Sequence, residues 1–226
     1  MIDAILYINL AHRADRKKLV CNELTKLAAI CSNIHRIDAV LEPMCGHLGC
    51  GKSHVKAIEM AIANNWNSVL IVEDDLELIQ SPDILCKMIT DAYAIRWDVV
   101  LFGLGHHHIS PSEYSFLNKV EASTCTHGYL IRKEYYPTLL ENFRGAVVKM
   151  TKEYEEHQRK CIEKGEPITK LNYCSAIDQE WRSLQKKNTF YVFKPEIGKQ
   201  RDGIYSDNNC SFETQKRKIR DAQESI

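Results

Sequence analysis

The amino-acid sequence predicts an α/β fold with a mostly parallel central sheet flanked by helices. Three observations predict it. Short apolar runs alternate with segments of helical periodicity. One run, Val69-Leu70-Ile71-Val72, is apolar at every position, as in a central strand covered on both faces. No internal repeat or low-complexity linker breaks the order. The 226 residues are therefore read as a single domain, with 212–226 as a peripheral tail or helix.

The elements follow in chain order. Ala4–Leu10 reads as a first strand, and the polar loop His12–Arg16 leads into a helix carrying Leu19, Val20, Leu24, Leu27 and Ile30. Ile34–Val40 reads as a second strand. Pro43, Gly46, Gly49 and Gly51 then mark a loop. Ser53 is the expected N-cap of a helix to about Asn64, with Val55, Ile58 and Ile62 on one face. Beyond Val69–Val72, strands are expected at Asp98–Leu104, Thr126–Ile131 and Thr189–Phe193. Helices are expected at Glu134–Phe143, at Cys174–Gln185 and over the charged stretch Lys149–Lys164. In that stretch Glu155 with Arg159, and Glu156 with Lys160, have helix-supporting spacing.

Composition narrows the function classes. Lys+Arg and Asp+Glu both number 30, so there is no large basic footprint and no expectation of a nucleic-acid partner. The apolar runs are too short to span a bilayer. Asp3 stands where a secretory signal would carry positive charge, and the nine cysteines suit free thiols in a reducing compartment. A cytoplasmic protein, or one peripheral to the cytosolic membrane face, is expected.

The chemistry concentrates at Glu73-Asp74-Asp75, where the apolar strand stops. Ligands of open α/β sheets sit beyond the carboxyl ends of strands. Adjacent carboxylates repel, and a hard divalent cation relieves that repulsion. In an extended segment Glu73 and Asp75 point to the same side and could share one ion. The alternative is a first helical turn, where acids are favoured by the helix dipole.

Two further patterns overlap. Gly46-His47-Leu48-Gly49-Cys50-Gly51-Lys52-Ser53 satisfies the P-loop pattern G-x-x-x-x-G-K-S, which would need a strand leading directly into the loop. The run Cys45-x-His47-x-x-Cys50-x-x-x-His54 holds zinc-ligand residue types at a spacing that matches no standard finger. His106-His107-His108 reads as a solvated loop or the lining of a site.

Seven blocks carry a resemblance when taken in order. They are Tyr7-Ile8-Asn9-Leu10 with Arg13, Asp15 and Arg16; His35–Val40; Gly49-Cys50-Gly51-Lys52-Ser53-His54; Leu70–Asp75; Thr126–Ile131; Ile177-Asp178-Gln179; and Pro195 through Ser206-Asp207. Together they resemble the LPS-type glycosyltransferases of family 25, which include lipooligosaccharide glycosyltransferases and procollagen galactosyltransferases. Gly128 stands where that pattern usually has alanine. The resemblance implies a GT-A-like nucleotide-binding fold and an inverting, metal-dependent transfer of a hexose, galactose or glucose, from a UDP-sugar. The implied metal is Mn2+, or Mg2+. The implied acceptor is a glycan or a glycosylatable protein or lipid.

Roles follow from the resemblance and from residue chemistry. Asn9, Leu10, Arg13, Arg16, Lys52, Ser53, His54 and Asp74 are expected to bind the nucleotide-sugar, since arginine forks and helix N-termini both suit diphosphate. Glu73, Asp75 and Asp207 are the expected metal ligands. Asp178 is the expected general base, with Glu180 as the alternative; on a helix only one of the two faces the site. Two other readings stand beside this one: a non-catalytic nucleotide-sugar or glycan binder, and a P-loop NTPase through Gly46–Ser53.

Overall fold

The computed structural model describes residues 1–105, 107–171 and 175–202. Its centre is an eight-stranded sheet. The first strands are β1 (Ala4–Asn9), β2 (Ile34–Asp38) and β3 (Ser68–Glu73). They are followed by β4 (Leu76–Leu78), β5 (Val99–Leu101), β6 (His107–Pro111), β7 (Leu117–Ser123), β8 (Gly128–Arg132), β9 (Phe190–Phe193) and β10 (Gly198–Gln200). The large sheet runs β2-β1-β3-β8-β5-β9-β7-β6, and β10 pairs with β4 in a small second sheet.

The α/β architecture is as the sequence predicts, but the sheet is mixed. β1 is parallel to β2 and β3, and β5 is parallel to β9. β8 is antiparallel to both β3 and β5, and β7 is antiparallel to β6 and β9. The reason is local. β6 and β7 form a ribbon joined by a short connection, and such a connection can only return the chain antiparallel. β8 enters between β3 and β5 from the opposite end.

Side-chain alternation splits the core into two layers. Leu6, Ile8, Val69 and Ile71 face α2 (Gly46–Ala63) and α4 (Tyr136–Glu163), among Ala57, Ile58, Leu139 and Phe143. Ile5, Tyr7, Leu70 and Val72 face α1 (Ala14–Leu24) and α3 (Pro82–Tyr93), among Val20, Leu24, Leu85 and Ile89. Both faces of β1 and β3 are thus dry, which is why these strands are apolar at nearly every position.

Several elements differ from expectation. The glycines at 46, 49 and 51 lie inside α2 and mark no loop. Gly49 is there for closeness, since a Cβ would sit 2.5 Å from the Val40 carbonyl oxygen. Ser53 is an interior helix residue, not an N-cap: its hydroxyl donates to the Gly49 carbonyl at 2.7 Å and accepts the Val40 N–H at 2.8 Å. The two helices expected at 134–143 and 149–164 are one, α4, entered through Pro137 at its first turn. The helix expected over 174–185 is two short pieces, α5 (Ile177–Glu180) and α6 (Arg182–Gln185). His107 and His108 belong to β6 and to no loop. The α3 helix and strands β4, β6, β7 and β10 had no expectation; β6 and β7 mix polar and apolar residues, which masks a strand in sequence.

Candidate active site

The site forms where three parallel strands end on the same edge. β1 ends at Asn9, β2 ends at Asp38 and β3 ends at Glu73. Because β8 is antiparallel to β3, its leading residues Thr126 and His127 arrive at that edge too. A cleft of about 660 Å³ opens there. Its walls include Asn9, Leu10, Arg16, Cys50, Ser53, the three acids and Gln200.

The three acids do not share one environment. β3 stops at Glu73, and Asp74-Asp75 form a turn before β4. The extended alternation expected for 73 and 75 is therefore broken, and both aspartates meet one guanidinium. Arg16 lies 2.8 Å from Asp74 Oδ1 and 2.5 Å from Asp75 Oδ2. Asn9 donates to Asp74 Oδ2 at 2.7 Å, and Gln200 to Asp75 Oδ2 at 3.0 Å. Both Asp74 oxygens are thus used. Asp75 Oδ1 is buried and has no partner.

Electrostatics separates the three acids further. Burial pushes Asp74 up to about 6 against the pull of Arg16 and Asn9. Burial and the neighbouring Glu73 charge also raise Asp75. Burial works against ionised Glu73 as well, but His54, Thr126 and His127 outweigh it and hold Glu73 at about 2. Thr126 donates to Glu73 Oε1 at 2.7 Å, and His54 Nε2 lies 3.4 Å from the same oxygen. Glu73 is held firmly ionised, whereas burial opposes the charge on the two aspartates.

Most residues expected to contact a nucleotide-sugar have partners within the chain. Arg13 forms a fork with Asp15, at 2.9 and 2.8 Å. Arg16 is engaged by the aspartates. Asn9 also accepts from Arg36 at 3.2 Å and donates to the Arg13 carbonyl at 3.1 Å. Lys52 pairs with Glu42 at 2.5 Å. His54 is fully buried, with Nδ1 2.9 Å from the Tyr129 hydroxyl. Asn9, Leu10, Arg16, Ser53 and Asp74 line the cleft; Arg13, Lys52 and His54 do not. The start of α2 lies at Gly46, which borders the cleft, instead of at Ser53. No side chain caps that start, although the Leu48 N–H turns back to the Cys45 carbonyl at 3.0 Å.

A second cleft adjoins the first at Gln200, which lines both. Its other walls are Gly105, His107, Thr124, Cys125 and Asp178. Asp178 Oδ2 accepts the Cys125 N–H at 3.1 Å, and Cys125 holds a left-handed backbone with φ of 82°. Glu180, two residues on, turns outward and pairs with Lys149 at 2.5 Å. Of the two candidate bases, Asp178 faces a cleft and Glu180 faces the surface. Asp207 lies outside the described residues.

Gln200, Thr126 and Cys125 escaped residue-level reasoning. Thr126 and Gln200 sit inside sequence blocks already singled out, which was the available signal. Cys125 had none, because its importance here is a backbone N–H.

The structure also decides the overlapping motifs. Gly46–Ser53 is helical throughout, so the G-x-x-x-x-G-K-S match forms no phosphate-cradling loop, and Lys52 is tied to Glu42. The Cys45–His54 run does not converge as a whole. Among the described residues, the group whose ligand atoms lie within 4.8 Å of one another is Cys50, His54 and Glu73. The three acids were expected to gather round one ion. Asp74 has both oxygens engaged by Arg16 and Asn9, and Asp75 Oδ1 is the buried carboxylate oxygen of the triplet left without a partner, an acceptor whose chemistry fits a cation.

No protein-family model matches the chain. No curated protein matches it in sequence. Solved structures of similar shape include a mannose-1-phosphate geranyltransferase from Thermus thermophilus, at a TM-score of 0.49 and 10% identity over 85% of this chain and 73% of that one. A197 from STIV matches at 0.45 and 10% identity, over 91% and 97%. A glycosyltransferase involved in the glycosylation of the major capsid of PBCV-1 matches at 0.43 and 12% identity, over 99% and 100%. At these TM-scores the likeness is one of general shape and carries no functional argument.

Proposed function

We propose that the protein is a GT-A-like glycosyltransferase that moves a hexose from a UDP-sugar to a hydroxyl of a glycan or of a glycosylatable protein or lipid, with inversion. The observation that carries this reading is the pair of clefts meeting at Gln200: one ends on Glu73 and Asp75, the other on Asp178. A two-substrate transfer needs that layout, with a charged donor on one side of the reacting carbon and a base on the other. The ordered blocks resembling family 25 support the same reading.

Each residue then has a task. Glu73 and Asp75 would hold a divalent cation, Mn2+ or Mg2+, which when bound supplies charge neutralisation to the departing diphosphate. Arg16 and Asn9 fix the aspartates and leave Asp75 Oδ1, buried beside the cleft, without a partner in the chain. The uncapped N-terminus of α2 at Gly46 offers N–H groups to the donor's phosphates. Asp178, oriented by the Cys125 N–H, takes the proton from the acceptor hydroxyl as that oxygen attacks. The sugar carbon gains the acceptor oxygen and loses the diphosphate oxygen on the opposite face.

The test is a thermal-shift panel of UDP, UDP-glucose, UDP-galactose and UDP-N-acetylglucosamine, each with and without Mn2+. A ligand that binds the native state raises its apparent stability. A Mn2+-dependent shift with a UDP-sugar, absent in folded Asp75→Ala, is expected. Donor binding unchanged in folded Asp75→Ala sinks the reading. Donor binding without transfer to any acceptor leaves a nucleotide-sugar binder.

A further inference from the structure

Cys50 and His54 stand four residues apart on α2, so both side chains emerge from one face a turn apart. Glu73, at the end of β3, meets them there. One thiol, one imidazole and one carboxylate thus bring their ligand atoms within 4.8 Å of one another. We propose that these three residues form a site for a borderline-soft divalent cation of the Zn2+ type, with its fourth position open to the cleft.

The geometry favours this over an ordinary hydrogen-bonded cluster. His54 Nε2 and Glu73 Oε1 are 3.4 Å apart, long for a charged hydrogen bond. Two ligand atoms about 2.0–2.1 Å from a tetrahedral zinc lie about 3.3–3.4 Å from each other. The spacing matches a coordination edge, and the three ligand atoms all lie within 4.8 Å of one another. The outer partners are also present. His54 Nδ1 lies 2.9 Å from the Tyr129 hydroxyl, a partner that can accept an Nδ1–H and so would hold the ring with its Nε2 lone pair inward when an ion is bound. Thr126 donates to Glu73 Oε1 at 2.7 Å and sets the carboxylate's orientation.

Access and chemistry agree. Cys50 and Glu73 line the cleft, and fully buried His54 lies beneath them. An ion arriving from solvent meets two ligands and settles on the third. Three protein ligands with one open position are the pattern of zinc sites that bind or activate a further group. A thiolate and an imidazole select Zn2+ over Mn2+, which prefers oxygen. The site differs from the Glu73–Asp75 pair assigned above and does not rest on that assignment, although Glu73 belongs to both.

The experiment uses Co2+ and Zn2+ alone on chelator-treated full-length protein. One equivalent of Co2+ is expected to give a near-ultraviolet thiolate charge-transfer band, displaced by Zn2+. Cys50→Ser is expected to remove the band. His54→Gln is expected to weaken uptake by more than the roughly 10–100-fold that loss of an outer partner costs. Cys45→Ser, just before the start of α2, is expected to keep the band. The proposal fails if wild-type protein takes up neither ion, or if Cys50→Ser and His54→Gln, both folded by near-ultraviolet circular dichroism, bind as wild type does. Asp75→Ala separates the two ideas: it is expected to abolish the Mn2+-dependent donor shift and to leave the Co2+ band.

Discussion

The two halves of the central sheet build their share of the cleft from different materials. On the parallel half, β1, β2 and β3 deliver a dense network in which Arg16 and Asn9 hold Asp74 and Asp75. On the antiparallel half, Asp178 stands on a four-residue helix with a backbone N–H from Cys125 as its hydrogen-bond donor. The first half fixes charge by compensating it inside a low-dielectric site. The second keeps one carboxylate at the cleft wall on a scaffold made rigid by aromatic packing. In the proposed transfer, a charged donor pocket and a proton-accepting wall need opposite treatment: one must suppress repulsion, the other must leave a base available.

The largest expected effect comes from removing the packing that supports Asp178. Trp181 follows α5, is fully buried and donates its indole N–H to the Ser123 carbonyl at 2.8 Å. Its ring lies against Tyr129, Phe143 and Phe190. Trp181→Ala is expected to cost about 3–5 kcal/mol in urea unfolding. Transfer should fall more than donor binding, because the parallel half is left standing. Equal losses of both would erase the division between the halves.

A smaller effect probes the parallel half through pH. Asp74 is raised by burial from 3.8 to about 6 in the folded protein. Its contribution to stability is fully present below 3.8 and is lost as pH rises through about 6. Glu73 has the opposite sign: held at about 2 against 4.5, it contributes above 4.5 and loses that contribution as pH falls toward about 2. Asp74→Asn is expected to flatten the decline in Tm between about pH 4 and pH 6. A Tm–pH profile parallel to wild type would show that Arg16 compensates Asp74 more fully than its burial implies.

The smallest effect belongs to Glu180. Its pairing with Lys149 is a surface ion pair. Glu180→Gln is expected to change stability by no more than about 1 kcal/mol and to leave transfer rates unaltered. A loss of transfer comparable to that of Asp178→Asn would return Glu180 to the site and break the assignment of the base.

Much of the parallel half was legible in sequence. Val69–Val72 announced a strand buried on both faces, and the acids after it announced a strand-end site. The antiparallel half was harder. Leu117–Ser123 mixes Asn118, Lys119 and Glu121 with apolar residues, so it reads like a loop until β6 and β9 pair with it. The glycines of α2 misled for a related reason: they permit close approach to Val40 and Ile177, contacts that no local pattern reveals.

Local pattern was enough for the alternation of buried strands and helices, the balance of charge, and the acids and arginines that gather at one sheet edge. Those properties are set by periodicity and residue chemistry over short stretches of chain. How the charges are matched to one another emerged only with the fold. It set Arg16 between Asp74 and Asp75, sent Glu180 to Lys149, and brought Cys50, His54 and Glu73 together from a helix and a strand that are separate in the chain. Partner choice among ionisable groups depends on distances between elements far apart in sequence, and burial multiplies the energy of whichever pair forms.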